Sequence, residues 1–214
     1  KDVFDKFVAE SPLCVMAQAT LANVFAEDRL NAIFDENAQR QRDGELMFST
    51  VADMMGSVVC RIRPSINAAY VARAEEIGVT VKAVYDKLKG VESEVSRGLV
   101  RETASHMAEI IEATKATRPE LVPGYRVKIV DGNHLRRTDR RIKELRGITS
   151  APLPGKALAV LDPRLMLVID VLLCEDGHAQ ERRLLPQLAK TIKRGDLWIA
   201  DRNFCTTQFL FTFF

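Results

Sequence analysis

The stretch YRVKIVDGNHLRR, residues 125–137, alternates apolar and polar side chains and then changes abruptly to charge. Alternation with a period of two is typical of a β-strand with one buried face. The apolar part leads into Asp131 and Gly132, and arginines follow at positions 136 and 137. We therefore predict a strand over 125–131 that carries a carboxylate at its end, next to positive charge.

A second short apolar segment, DLWIAD (196–201), also ends in an aspartate. Between the two lie ALAVLD (157–162), LMLVIDVLLCED (165–176) and a helical stretch in which Pro186 and Gly195 mark the start and the end. This order predicts a strand, a hairpin, a crossover helix and a last strand. Because a helical crossover reverses the chain, the last strand can lie parallel to the first.

Parallel neighbours have their carboxyl ends at the same edge of a sheet, which is where open α/β folds bind ligands. We therefore expect Asp131 and Asp201 to lie close together, although 70 residues separate them in sequence. Two close carboxylates repel each other and must either share a proton or bind a cation. Magnesium takes few protein carboxylates and completes its shell with water and phosphate oxygens, so the neighbouring arginines favour the cation and a phosphodiester substrate. A shared-proton acid/base pair is the alternative.

The first half of the chain has helical patterns, with apolar residues recurring at three and four positions. Two prolines and a glycine in ATRPELVPGY (116–125) end these patterns, and we place a domain boundary there. The predicted class is α+β or α/β, with an all-α region over 1–118 and a mixed sheet with a crossover helix over 119–214. Within 77–92, Gly78 is predicted to end one helix and Thr80 to cap the next, which suggests a helix-turn-helix, although such turns also occur in helical bundles that bind no DNA. The candidate DNA contacts of this segment are Lys82, Lys87 and Lys89.

Composition and charge narrow the classes of partner that this protein is expected to have. With 47% hydrophobic and 28% charged residues among 214, the chain is typical of a globular protein, and its apolar runs are too short to cross a bilayer. No signal pattern appears at its start, so we expect a cytoplasmic protein without a membrane partner. The net charge of +2 is uneven, and RRTDRRIKELR (136–146) holds six basic and two acidic residues. Its basic residues are the first candidates for nucleic-acid contact, the alternative being a solvated helix face: Arg136, Arg137, Arg140, Arg141, Lys143 and Arg146.

The motifs IVDGNHL (129–135) and LWIADRNFCT (197–206) resemble the first and second acidic motifs of DDE transposases, in particular those of insertion-sequence family four. The resemblance covers about residues 120–210 and implies a ribonuclease H-like catalytic domain preceded by a helical DNA-binding region. It makes Asp131 and Asp201 catalytic metal ligands for Mg²⁺, with Mn²⁺ as an alternative. Arg202 and Asn203 occupy family positions beside the second acid, and Arg202 joins the predicted DNA contacts.

The resemblance also implies partners and a location. The expected partner is double-stranded DNA at the ends of the insertion sequence, and the expected assemblies are a homodimer or an association with the full-length enzyme. The expected location is the bacterial cytoplasm, at the nucleoid.

The sequence departs from the family in its third acid. Family members use a glutamate on a later helix, and no residue after Asp201 is acidic in the sequence, which stops at TTQFLFTFF. We therefore expect a fragment that is inactive by itself. Two other functions stay open: a non-catalytic DNA-binding protein that inhibits the full enzyme, and a different metal-dependent nuclease or phosphatase.

Overall fold

The computed structural model of this protein describes residues 10–135, 155–174, 180–204, 206–207 and 211, with the backbone alone at 134 and 135. The chain divides into two compact units, Lys1–Glu92 and Ser93–Phe214. The class is α+β, with helices first and a four-stranded mixed sheet second. No helix in the described part of the chain is long and apolar enough to span a membrane.

The first unit is helical. Its described helices are α1 (Pro12–Val24), α2 (Glu27–Asn37), α3 (Phe48–Val59), α4 (Ile66–Val71), α5 (Ala74–Ile77) and α6 (Val81–Gly90). Helix α3 packs against α2, α4 and α6, and its Val51 and Met54 lie in the core. The rings of Phe34 and Phe48 stack with centroids 5.0 Å apart. The first unit is therefore stabilised by apolar packing between α3 and its neighbouring helices.

Two local signals set the boundaries of α5 and α6. Gly78 has a φ of 70°, a left-handed conformation that suits glycine, and it ends α5. The hydroxyl of Thr80 accepts a hydrogen bond from the backbone N–H of Ala83, so Thr80 caps α6. Both roles agree with the sequence prediction for this segment.

The second unit consists of a long helix and a sheet. Helix α7 (Ser93–Ala113) precedes the strands β1 (Arg126–Leu135), β2 (Gly155–Asp162), β3 (Leu167–Cys174) and β4 (Asp196–Ala200), which lie in the order β3-β2-β1-β4. Helix α7 packs on β3. For this reason the division between the units falls before α7, whereas the sequence placed it after the same helix, at 118/119.

The strand pairings agree with the predicted topology. β2 and β3 form an antiparallel hairpin, β1 pairs with β2 antiparallel, and β4 lies parallel to β1. The crossover differs from the prediction of one regular helix near 186–195, because a 3₁₀ turn (Glu181–Leu184) leads into the short α8 (Leu185–Ala189). Apolar residues of the sheet, the crossover and the turn after β4 form the core of this unit: Val130, Leu158, Val160, Leu172, Leu184, Leu185, Leu188 and Phe204.

Candidate metal site at the sheet edge and candidate nucleic-acid surfaces

The register of the parallel pair brings Asp131 and Asp201 to neighbouring positions. The last paired residues are Val130 and Ala200, and each aspartate is the next residue of its chain segment. Neighbouring strands lie about 4.8 Å apart, so a separation of 70 residues in sequence becomes one strand spacing at this level. The predicted parallel pairing of the first and last strands is confirmed, and it positions these two carboxylates.

One detail of that prediction is wrong. Asp131 does not end its strand, because β1 continues to Leu135 through antiparallel pairing with β2, and Asp131 itself pairs with Ala159. Only the parallel pairing with β4 stops at Val130. The edge at which the two aspartates meet is therefore the end of the parallel pair, beside a longer antiparallel ribbon.

Both carboxylates are exposed, and each is oriented by one backbone N–H. Asp131 Oδ1 accepts from the N–H of Gly132 at 2.9 Å, and Asp201 Oδ1 accepts from the N–H of Asn203 at 3.2 Å. The carbonyl of Asp201 also accepts from Phe204 N–H at 2.9 Å, which begins a short 3₁₀ turn (Arg202–Phe204). Among the described residues no donor reaches Oδ2 of either aspartate, so each keeps an oxygen available for a cation.

A third carboxylate approaches this edge, and no motif in the sequence predicted it. A Cβ at Gly132 would lie 2.5 Å from the carboxyl carbon Cδ of Glu181, so only glycine leaves room for this carboxylate in its present position. Because successive residues of a strand point to opposite faces, Glu181 lies on the face opposite the side chain of Asp131. The described residues contain no group of three or more His, Cys, Asp or Glu side chains arranged to hold a metal ion.

Arg202 and Asn203 follow Asp201 directly in the short 3₁₀ turn. Arg202 is exposed and has no carboxylate partner in the described ranges. The carbonyl of Asn203 accepts a hydrogen bond from Arg182 Nε at 2.8 Å, which ties this turn to the crossover. The turn therefore carries an exposed guanidinium, without a carboxylate partner in the described ranges, one residue from the second aspartate.

Helix α6 separates its three lysines. Lys82 and Lys89 are exposed, with Tyr85 between them, and spacings of three and four residues put all three on one helical face. Lys87 is different: its ammonium forms an ion pair with Asp43, donates to the carbonyl of Leu46 at 2.7 Å and lies 4.6 Å from the Phe34 ring centroid. The ammonium of Lys87 is therefore engaged inside the first unit, whereas those of Lys82 and Lys89 belong to exposed side chains.

The basic segment 136–146 lies outside the described residues, and so do all six of the candidate contacts predicted in it. The same holds for the acids Asp139, Glu144, Glu175 and Asp176 and for His178. The predicted nucleic-acid contacts that the structure does describe on a surface are Lys82, Lys89 and Arg202.

A buried ion pair between α7 and β3 was not found from the sequence. Arg97 donates from Nε and Nη2 to the two carboxylate oxygens of Asp170, both at 2.9 Å. The two side chains are 14% and 8% exposed, and the hydrogen bond to Asp170 raises the pKa of Arg97 above its ordinary value. The only signal in the sequence is Asp170 itself, a charge inside an otherwise apolar strand.

No protein-family model matches this chain, and comparisons with curated proteins and with solved structures find no significant match.

Proposed function

We propose that this chain is part of a DDE-type transposase of insertion-sequence family four, with its sheet belonging to a ribonuclease H-like catalytic domain. The observation that carries this proposal is the β1–β4 register, which brings Asp131 and Asp201 to adjacent positions at the end of a parallel pair. The two acidic motifs quoted above then lie side by side, as a shared metal site requires. The substrate is double-stranded DNA at the ends of the mobile element.

The two carboxylates fit a hard divalent cation. Both are exposed, both are oriented by a backbone N–H, and both retain an oxygen without a described donor. Magnesium commonly binds one or two protein carboxylates and fills its other positions with water and phosphate oxygens. When bound, Mg²⁺ or Mn²⁺ supplies charge stabilisation at the oxygens of a reacting phosphodiester.

Exposed cations provide the proposed DNA contacts. Arg202 stands next to Asp201, where it is placed to pair with a phosphate near the metal site, and a guanidinium forms two parallel hydrogen bonds with phosphate oxygens. Lys82 and Lys89 give the first unit its own phosphate-binding helical face. The proposal includes the bacterial cytoplasm as the location and a dimer, or an association with the full-length enzyme, as the assembly.

Manganese binding tests the metal site. We expect Asp131→Asn and Asp201→Asn each to weaken Mn²⁺ binding, and the double variant to abolish it, as measured by electron paramagnetic resonance of free Mn²⁺. Glu102→Gln is the matched control, since Glu102 is an exposed acid on α7 and belongs to neither acidic motif. We expect these variants to fold, because asparagine keeps the oxygen that accepts the backbone N–H. Circular dichroism checks their folding. Equal Mn²⁺ binding by the double variant and the wild type would exclude this site.

A second function is favoured by one observation. The described residues hold no cluster of three acidic or metal-binding side chains, which suits a protein that binds DNA without cleaving it. Such a protein occupies element ends and inhibits the active enzyme. Both functions predict DNA binding without cleavage by residues 1–214 alone, so the coding sequence downstream of codon 214 separates them. An open frame that supplies a glutamate on a later helix supports the enzyme, and a stop codon supports the binding protein.

A further inference from the structure

A cavity of about 570 Å³ lies in the second unit, between the start of α7, the sheet and the end of the crossover. It is separate from Asp131 and Asp201, neither of which lines it. Its size falls within the range of pockets that hold small molecules. Five of its lining side chains are cationic and two are acidic, so the wall has an excess of three positive charges.

The two deep cations are already paired. Arg97 forms its bidentate pair with Asp170, and Lys128 Nζ lies 3.1 Å from Asp196 Oδ2. These pairs hold the floor of the cavity in place and leave little charge for a ligand. The other three cations, Arg101, Lys190 and Lys193, are exposed and have no carboxylate partner among the described residues. The positive charge of the cavity therefore comes from its rim, where these three cations are accompanied by one exposed acid, Glu94.

Trp198 adds a second sign of a missing partner. It lines the same cavity, Lys128 Nζ lies 5.1 Å from its ring centroid, and its buried Nε1–H finds no acceptor in the described part of the protein. Buried donors are nearly always satisfied, and an unpaired one calls for an explanation such as a bound group. A ligand with several acceptor oxygens would supply negative charge to the rim cations and an acceptor for this donor.

We propose that this cavity binds a phosphorylated small molecule with at least two negative charges, held by Arg101, Lys190 and Lys193 against Trp198. A diphosphate matches three rim cations better than a single carboxylate does, because it brings more charge and more acceptor oxygens. The guanidinium of Arg101 and the two ammonium groups are the side chains that usually bind phosphate. The proposal is independent of the transposase assignment.

Trp198 is the only tryptophan in the chain, so all tryptophan emission comes from a side chain that lines this cavity. We expect pyrophosphate and ATP, titrated at constant ionic strength, to give a saturable change in emission and a binding isotherm by calorimetry. Arg101→Gln should weaken pyrophosphate binding about tenfold, as the loss of one hydrogen bond to a charged group predicts. The triple variant Arg101→Gln, Lys190→Gln, Lys193→Gln should not bind.

Arg118→Gln is the matched control, because Arg118 is an exposed cation of the same unit that does not line the cavity. It should bind pyrophosphate like the wild type. The proposal is overturned if neither pyrophosphate nor ATP binds saturably in calorimetry, or if sodium chloride alone gives the same response. It is also overturned if Arg118→Gln and the triple variant lose affinity equally, or if only duplex DNA changes the emission.

Discussion

Four carboxylates of this protein have different surroundings, and these surroundings predict how the protein responds to pH, to substitution or to a metal ion. Glu92 is a partly exposed acceptor of backbone N–H groups, Asp170 is buried against one arginine, and Asp131 and Asp201 are exposed beside each other. The first should respond to pH, the second to loss of its partner, and the last two to metal.

The pH response belongs to Glu92. Its Oε1 accepts from the backbone N–H of Arg40 at 2.7 Å and of Gln39 at 3.0 Å, and the hydrogen bond from Arg40 is the largest cause of its lowered pKa. A lowered folded pKa means that the stabilisation is complete above the ordinary value of 4.5 and is lost as pH falls through the folded value. Glu92→Gln should therefore destabilise the protein at neutral pH and make little difference in strong acid.

Urea unfolding at neutral and acidic pH measures this difference. Glu75→Gln is the control, because Glu75 is exposed on α5 without a described partner. A Glu92→Gln effect of equal size at both pH values would show that the lost hydrogen bonds, rather than the lost charge, are responsible.

Removing one partner of the Arg97–Asp170 pair should lower the free energy of unfolding strongly, whereas replacing both partners with apolar residues should lower it little. Arg97→Met leaves a nearly buried carboxylate without its cation, and we expect a loss of about 3 kcal/mol in the free energy of unfolding. The double variant Arg97→Met, Asp170→Leu removes both charges and should lose less than either single variant. Denaturant unfolding of the four proteins gives the coupling directly. Additive losses would contradict the pairing, and Arg118→Met serves as the exposed control.

At the scale of elements, α6 shows how one helix separates similar residues. Its exposed face carries Lys82 and Lys89, whereas Lys87 turns inward to Asp43 and is 10% exposed. A position along the sequence therefore does not tell which lysine can meet a phosphate.

Substitution of these lysines separates DNA binding from stability. Lys82→Gln and Lys89→Gln should each lower the slope of log affinity for duplex DNA against log salt by about one unit, with little change in stability. Lys87→Gln should leave the slope unchanged and destabilise the first unit by about 3 kcal/mol, because Asp43 stays buried without its cation. Fluorescence anisotropy at several salt concentrations and urea unfolding measure both effects. The double variant Lys82→Gln, Lys89→Gln is compared with the wild type. If both show the same slope of log affinity against log salt, α6 does not contact DNA.

At the scale of the whole molecule, the proposed chemistry depends on more ligands than the two aspartates. Phosphoryl transfer requires metal ions fixed against both the attacking and the leaving oxygen, and two exposed carboxylates fix an ion only loosely. The described residues bring no third carboxylate into a group with them.

Under the proposed function, with Asp131 and Asp201 as its metal ligands, we expect the 214-residue chain to bind DNA without cleaving it, because two exposed carboxylates alone do not fix the metal ions. The measurement is nicking of supercoiled DNA in Mg²⁺, with Asp201→Ala as the control. Nicking that disappears in the control would contradict this expectation, and it would show that another acid of this chain completes the site. Glu181→Gln would then test the carboxylate that lies against Gly132.

The sequence by itself determined the features that depend on local interactions. Period-two alternation located the strands, Gly78 and Thr80 set the boundary between two helices, and the order of elements implied that β4 would run parallel to β1. Each of these follows from backbone geometry or from a connection that permits few topologies. The juxtaposition of Asp131 and Asp201 followed from the same reasoning, since parallel strands share an edge.

Tertiary structure alone decided the features that depend on distant partners. The sequence could not show that α7 belongs with the sheet, because the Arg97–Asp170 pair joins residues 73 positions apart. It could not show that the Lys87 side chain is only 10% exposed or that Glu181 lies against Gly132, since the position of a charged side chain is known only once its partner is placed. These contacts form only through long-range packing. A local sequence pattern does not show which distant residue supplies the opposite charge or which glycine leaves room for a side chain.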